Sequence, residues 1–383
     1  MKPKLLLVSA ISPFPKTSGG AVRIFNTIKY LSVKFEIHLV FWQDQDCKLS
    51  EEEEVFLNKH AASWTTIPLW YKQKLSWWSY GQPFWFSEWF DPEACFLINA
   101  LIKKHQIKNV QIDCTQLLYL QKYLPSSVKT NFVAYDISTT TFWRRLVETK
   151  NLRRIAVFFW RWLEVYKYEK KYLPKYNMVT AMSEHDADLL ENKFDVEKIL
   201  IVPNGLENLE ALPMTTGSII NLGYIGGFAH TPNERAVKYF IKKVAPLLEK
   251  QRINYRYYIA GENNDVLIKK WMKQARLKNP EKIVNLGRVG DVEYFYKKID
   301  ILLVTLFSGS GTRVKVLEAL GYGRKVIGTS VGVEGIDAQA MKIDVVNERG
   351  QMVEKIEAFD KKEWSPAMNN VEQMLWSKII DRP

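Results

Sequence analysis

The stretch 301-ILLVTLFSGSGTRVKVLEALGYGRKVIGTS-330 reads as one complete supersecondary unit. Two apolar runs of strand length, 301-ILLVTLF-307 and 325-KVIGTS-330, flank a glycine-rich turn and a helical pattern. Val314, Leu317 and Gly321 recur at helical spacing, and Gly309, Ser310 and Gly311 supply the turn that starts the helix. Arg313 and Lys315 then sit in its first turn. A helix N-terminus carries unpaired N–H groups and about half a positive charge, so two cations are locally unfavourable there. A phosphate ligand removes the conflict: glycine lets it approach the backbone, the N–H groups hold it, and Arg and Lys add charge. The alternative is a surface pair between Lys315 and Glu318, three residues on, with Arg313 solvated.

Outward from this unit, strands and helices alternate. Residues 4-KLLLVSAI-11 read as a strand, 12-SPFPKTSGG-20 as a loop, 21-AVRIFNTIKYLS-32 as a helix with Ala21, Phe25, Ile28 and Leu31 inward, and 35-FEIHLVFW-42 as a strand. The order returns in 219-IINLGYIGG-227, the helix 234-ERAVKYFIKKVAPLLEK-250 and the strand 255-YRYYIAG-261. The segments 178-MVTAMS-183 and 199-ILIVPNG-205 read as the last strands of a first half. The pattern predicts two doubly wound α/β domains facing a central cleft, residues 1–210 and 211–362, with a C-terminal helical segment, 363–383, packing back on the first domain.

Composition narrows the class. A chain of 383 residues suggests two domains, and its 47% hydrophobic and 25% charged residues are those of a globular protein. No run reaches the apolar length of about 20 residues that a membrane-spanning helix needs. The start, MKPKLLLVSAISPFP, imitates a signal peptide, but Pro13 and Pro15 suit a loop after a buried first strand better. Cys47, Cys95 and Cys114 are widely spaced and form no metal-binding pattern, so a reducing, cytoplasmic setting and no metal site are expected. The net charge of +12 fits nucleic acid, anionic lipid or phosphorylated substrates, and its placement decides between them.

Seven segments in order carry a family resemblance: 19-GGAVR-23, 163-LEVYKYEKKY-172, 180-TAMSEHDADLL-190, 202-VPNG-205, 224-YIGGFAHTPNERAV-237, 287-GRVGDV-292 and 309-GSGTRVKVLEALGYGRKVIGTSVGVEG-335. With these the chain resembles family-4-type retaining glycosyltransferases of the GT-B fold, in the subgroup with a GSGTR loop. The resemblance implies a nucleotide-diphosphate sugar donor held mainly by the second domain, an acceptor held by the first, and no separate cofactor. Glu318 matches the second glutamate of the family's two-glutamate motif and is expected to bind the nucleotide ribose; Ser310 stands where the first glutamate would be. Gly311, Thr312 and the helix start are expected at the diphosphate, with Gly226, Gly227 and His230 in the glycine loop beside the donor. Gly287, Arg288 and Val289 match the place where relatives hold the nucleobase through backbone groups, and Gly19 and Gly20 would reach the donor from the first domain. Relatives carry a basic pair after the first strand of the second domain, where this chain has 226-GGFAHTPN-233. Arg313 and Lys315 are the available replacements, and retention assigns them the leaving-group charge in the transition state.

In the first domain relatives carry an Asp-x-His pattern, and here 135-YDISTTT-141 has Asp136 followed by Ser138. Asp136, with a catalytic or acceptor role, and Asp113 and Ser138, as acceptor ligands, are the candidates; an aspartate at a strand end also caps turns and helices. His230, beside Thr231 and Pro232, suits a structural role as well as a donor contact.

Between Trp64 and Phe90 lie six of the thirteen tryptophans, including Trp70, Trp77, Trp78, Trp85 and Trp89. Such a segment fits an acceptor groove, a lipid-facing surface or a packed subdomain core. Residues 142-FWRRLVETKNLRRIAVFFWRWLEVYKYEKKYLPK-175 read as one or two basic amphipathic helices, suited either to an anionic membrane surface or to a solvated face. The mixture of cations with large hydrophobic side chains argues against nucleic acid.

The sequence therefore predicts a metal-independent hexosyltransferase of cell-surface polysaccharide biosynthesis, cytoplasmic, at the inner membrane surface. Its acceptor would be a saccharide or a lipid-linked saccharide. Ser310 and Ser138 keep open a catalytically weak sugar-nucleotide-binding partner protein, and the architecture also admits a nucleotide-sugar epimerase.

Overall fold

The computed structural model describes residues 2–16, 18–69, 83–149, 151–308 and 313–380. The chain divides into two compact units, Met1–Asn204 with the chain from Ile379 onward, and Gly205–Lys378. The division falls a few residues before the expected 210/211, at the turn Pro203-Asn204-Gly205. Residues 363–378 group with the second unit, and the chain from Ile379 onward with the first.

The first unit is a seven-stranded parallel sheet of β1 (Lys4–Ser9), β2 (Glu36–Asp44), β3 (Ser63–Leu69), β4 (Asn109–Asp113), β5 (Lys129–Val133), β6 (Met178–Ala181) and β7 (Ile199–Ile201). Their spatial order is β3-β2-β1-β4-β5-β6-β7. Leu6, Leu7 and Val8 of β1 are fully buried, as a strand covered on both faces requires. Ser18 caps the helix Gly19–Lys34 by accepting from the Ala21 N–H, so this helix begins earlier than its apolar pattern. Ala21, Phe25 and Ile28 are buried there as expected, and Leu31 packs partly buried against the same core.

The second unit repeats the plan with β8 (Ile220–Ile225), β9 (Tyr255–Ala260), β10 (Ile283–Gly287), β11 (Ile301–Val304), β12 (Lys325–Gly328) and β13 (Asp344–Val345), in the order β10-β9-β8-β11-β12-β13, all parallel. The helix after the glycine turn spans Val314–Gly321, and its inward face is Val316, Leu317, Ala319, Leu320 and Gly321. Val314 is half-buried. Buried Asp300, just before β11, anchors the opposite end of this sheet: it pairs with Lys361 at 2.8 Å and accepts from the Asn221 and Thr215 N–H groups.

In a sheet of this kind, strand order reverses at one point, and ligands bind outside the carboxyl ends of the strands there. The reversals lie between β1 and β4 in the first unit, and between β8 and β11 in the second. Among the described residues no helix is long and apolar enough to cross a membrane.

Candidate functional site

The crevice of the second unit is organised around one amine. Lys315, in the first turn of its helix, points its Nζ to the end of β8, where it donates to the Tyr224 hydroxyl at 3.1 Å and to Asn233 Oδ1 at 3.0 Å. It also lies 4.2 Å from the centre of the Tyr224 ring. Asn233 fixes this arrangement from three sides: its Oδ1 accepts from Tyr224 at 2.7 Å and from Lys315, and its Nδ2 donates to the Gly227 carbonyl at 3.0 Å. Gly226, with φ +152°, has no room for a side chain, because a β-carbon there would lie 2.8 Å from Lys315 Nζ and 2.7 Å from Asn233 Nδ2. The glycine loop and the ammonium are therefore built as one unit.

Burial, and then the repulsion of Arg313, push the Lys315 ammonium down to about 7, against the pull of Glu318. Glu318 does not form the surface ion pair that was the alternative reading. It accepts from the Tyr296 hydroxyl at 3.1 Å, while that hydroxyl also lies 3.0 Å from the Lys315 carbonyl oxygen. Burial raises the Glu318 carboxyl to about 7, opposed by Tyr296 and Lys315 and aided by Glu207. Arg313 occupies the N-cap position with its guanidinium directed at the Val331 carbonyl at 3.4 Å. No acidic side chain stands in that first turn. Ser310, Gly311 and Thr312, with Gly309, lie outside the described residues.

The other expected donor residues stand at the carboxyl ends of β8 and β10. Gly226 and Gly227 follow β8; His230 is exposed at the start of the helix Thr231–Tyr239, where its carbonyl accepts from the Asn233 N–H. Gly287 ends β10 at φ +64°, and its carbonyl accepts from the Gly261 N–H at 2.8 Å. Arg288 is exposed and Val289 packs partly buried on the core.

In the first unit, Asp113 ends β4 at the strand-order reversal and is fully buried. It accepts from Gln111 at 2.9 Å and from the Tyr135 hydroxyl at 2.8 Å. Burial raises its carboxyl to about 6, opposed by those bonds and by the nearby Arg23 guanidinium. Arg23 in turn donates to Asn204 Oδ1 at 2.8 Å and the Val202 carbonyl at 3.1 Å. Gly20 sits close against Ile11, 2.6 Å from where its β-carbon would be, and Gly19 opens the same helix. Asp136 is half-buried and accepts from Thr141 at 3.2 Å and, at a long 3.5 Å, from Ser138. It thus serves the start of the helix Ser138–Glu148.

The sequence reading missed several partners. Glu169 is buried and accepts from the N–H groups of Ser138 and Thr139 at 2.9 and 3.0 Å, and from the Thr139 hydroxyl. Burial is the main cause that raises its carboxyl to about 7. The signal was present: Val165, Tyr168, Glu169 and Tyr172 are the buried positions of one helix, so a single acid interrupts an apolar stripe. Tyr224, Asn233 and Tyr296 carried no such signal, because neither strand nor helix periodicity shows which residues meet Lys315.

Residues 220–360 match the family described as Glycosyl transferases group 1. The second unit carries a glycosyltransferase domain. No curated protein sequence matches the chain. Solved structures share the fold along almost all of it. Sucrose-phosphate synthase from Thermosynechococcus elongatus superposes with a TM-score of 0.71 at 13% identity, over 98% of this chain and 96% of that one. Anabaena HepE, solved in complex with UDP, gives 0.64 at 10%, over 98% and 97%. WaaG, a glycosyltransferase involved in lipopolysaccharide biosynthesis, gives 0.65 at 15%, again over 98% and 97%. The two Rossmann-like parallel-sheet units are those of the GT-B fold.

Proposed function

We propose that the protein is a retaining, metal-independent glycosyltransferase of the family-4 type. In this reading it moves a hexose-type sugar from a nucleotide-diphosphate donor to a saccharide or lipid-linked saccharide in cell-surface polysaccharide synthesis, in contact with an anionic cytoplasmic membrane surface. The observation that carries it is Lys315, seated against Gly226 at the strand-order reversal, at a helix start that also bears Arg313, inside a glycosyltransferase domain. In this reading the two cations and the helix N–H groups take the diphosphate, and Glu318 takes the ribose hydroxyls. As the sugar–oxygen bond breaks, charge grows on the diphosphate, and the cations stabilise it where it develops. In the same reading Gly287, Arg288 and Val289 hold the base, Gly19 and Gly20 belong to the donor side, Asp136 has a catalytic or acceptor role, and Asp113 and Ser138 are acceptor ligands.

The test is binding of a panel of nucleoside diphosphates and nucleotide sugars by calorimetry to wild type and Arg313→Ala. It is followed by donor consumption with and without candidate acceptors and by the anomeric configuration of the product. Selective binding of one nucleotide, weakened by the substitution, and acceptor-dependent turnover with retention support the reading. Turnover with inversion removes its mechanistic part, and a folded protein that binds no nucleotide removes all of it.

A second reading, a catalytically weak donor-binding protein, draws on the commitment of Asp136 to Thr141 and Ser138. It predicts nucleotide binding without turnover. An epimerase would instead isomerise the donor with no acceptor present.

A further inference from the structure

The helix Leu152–Tyr172 has two unlike halves. Its C-terminal half buries Val165, Tyr168, Glu169 and Tyr172 against the first unit. Its first half is exposed on nearly every side, although it is built of large apolar residues: Leu152 is 83% exposed, Trp160 53%, Val157 49% and Phe159 48%. The neighbouring helix Ser138–Glu148 adds Val147 at 68% and Trp143 at 47%. A helix that is apolar all round belongs inside a protein or in contact with another apolar phase.

Two of these side chains meet on one ring, and the other four lie on the same two helices. Trp143 packs on Trp162 with ring centres 5.3 Å apart, and Phe159 packs on the same ring at 5.8 Å. The Arg161 guanidinium lies 4.2 Å from the centre of the Trp85 ring, which joins the patch to the exposed end of the turn Phe84–Trp89.

Charge identifies what covers it. Residues 138–175 hold ten Lys or Arg against three Glu, an excess of seven out of the whole chain's net +12. Of the three acids, Glu169 is buried in the helix start it caps and Glu164 accepts from the Trp160 indole N–H, so neither offsets the outer cations freely. Arg153 and Arg154 are exposed at the tip itself. A second copy of this face would bring like charges together, and a nucleic-acid backbone would leave the apolar tip in water. An anionic bilayer satisfies both halves: headgroups take the cations and the acyl boundary takes the apolar side chains, with tryptophan at the level between them.

We infer that the first unit docks on anionic lipid bilayers by inserting the tip of the helix Leu152–Tyr172, flanked by Trp143 and Val147, with Arg153 and Arg154 on the headgroups. This deepens the membrane-contact part of the proposed function and rests on it.

The experiment is flotation of the full chain with vesicles of phosphatidylcholine alone and of phosphatidylcholine mixed with phosphatidylglycerol, at low and high salt. Wild type is compared with Phe159→Ser/Trp160→Ser, Leu152→Ser/Val157→Ser and Arg153→Gln/Arg154→Gln. Wild type is expected to float with the anionic vesicles and to lose binding in high salt. Each apolar pair should weaken partition by roughly tenfold or more, and the arginine pair should lower it and its salt dependence. All three pairs are exposed, and a thermal melt followed by circular dichroism, matched to wild type, shows that each variant is folded.

Wild type that floats with neither vesicle overturns membrane contact altogether. Wild type that floats while every variant floats equally overturns this surface and leaves the contact to another one. Self-association in sedimentation that the apolar pairs abolish, without vesicle binding, assigns the patch to a second copy and also overturns the inference.

Discussion

The binding of a nucleotide sugar should be bell-shaped in pH, with its maximum near neutrality and its two limbs assignable to two residues. In the proposed function Lys315, whose ammonium burial pushes down to about 7, holds the diphosphate when protonated, and Glu318, whose carboxyl burial raises to about 7, accepts from ribose hydroxyls when ionised. Raising the pH one unit above the Lys315 value takes its protonated fraction from about a half to about a tenth while Glu318 goes from about a half to about nine-tenths ionised, so affinity weakens about threefold, or ~0.6 kcal/mol. Lowering the pH one unit below the Glu318 value does the same on the other side. Because the two groups interact, the apparent values belong to the pair, and the variants separate them. Lys315→Met should abolish the alkaline limb, weaken binding at pH 7 by roughly tenfold to a hundredfold, and move the acid limb to higher pH, since Lys315 no longer helps Glu318 to ionise. Glu318→Gln should abolish the acid limb alone. The assay is calorimetry with a nucleotide sugar, whose diphosphate has no proton to lose near neutrality, run in two buffers of different ionisation enthalpy so that proton uptake is read directly. A flat profile in wild type, or an alkaline limb that survives in Lys315→Met, refutes the argument.

Three further outcomes follow from the geometry. Gly226→Ala places a β-carbon against Lys315 Nζ and Asn233 Nδ2 at a positive φ, so nucleotide-sugar affinity should fall about tenfold or more; unchanged calorimetric affinity would show that the loop yields. Glu169→Ala leaves two buried N–H groups and a hydroxyl unpaired and should cost about 3 kcal/mol, seen as a Tm lower by several degrees, with Glu169→Gln intermediate; equal melting of both variants and wild type would contradict the cap. His38 is buried, bonded to Ser63 at 2.8 Å and stacked 4.0 Å from His105; burial, then His105, lowers its pKa, with Glu36 acting the other way and Lys4 adding to the decrease. Its neutral form is thus favoured in the folded state, and that stabilisation is complete above the unfolded value near 6.5 and lost as pH falls through it. Tm should drop more on acidification in wild type than in His38→Gln, and identical slopes would exclude this origin.

What the sequence disclosed and what it hid divide along physical lines. Both parallel sheets were legible because a strand covered on both faces must be continuously apolar, as Leu6 to Val8 and Ile301 to Val304 are. The unusual cations at 313 and 315 were legible because they violate the preference of a helix start. Their partners were hidden: Lys315 meets Tyr224 and Asn233 across long sequence separations, a contact set by how β8 and β11 lie side by side. The alternative pairing of Lys315 with Glu318 is not formed, since local spacing points to the nearest acid while tertiary packing gives Glu318 to Tyr296. The basic helices were read correctly as helices, but not which end was apolar and uncovered, because Val165, Tyr168 and Tyr172 look no different in sequence from Val157, Phe158 and Phe159.

Two helix starts, one in each unit, also differ in a way that bears on where an anion goes. In the first unit the start of the helix Ser138–Glu148 is filled from within: Glu169 supplies the carboxylate that its N–H groups would otherwise seek, and Asp136 adds a second acid beside it. An incoming diphosphate there would meet two carboxylates and no donor left to claim. In the second unit the helix start carries Arg313 and Lys315 with no acid in its first turn, and the Lys315 amine is held half-desolvated, at a pKa only a neighbouring anion would restore. One helix start, after β5 in the first unit, therefore carries its own carboxylates, and the other, after β11 in the second, carries cations alone in its first turn. This difference is what supports the proposal that the nucleotide lies in the second unit.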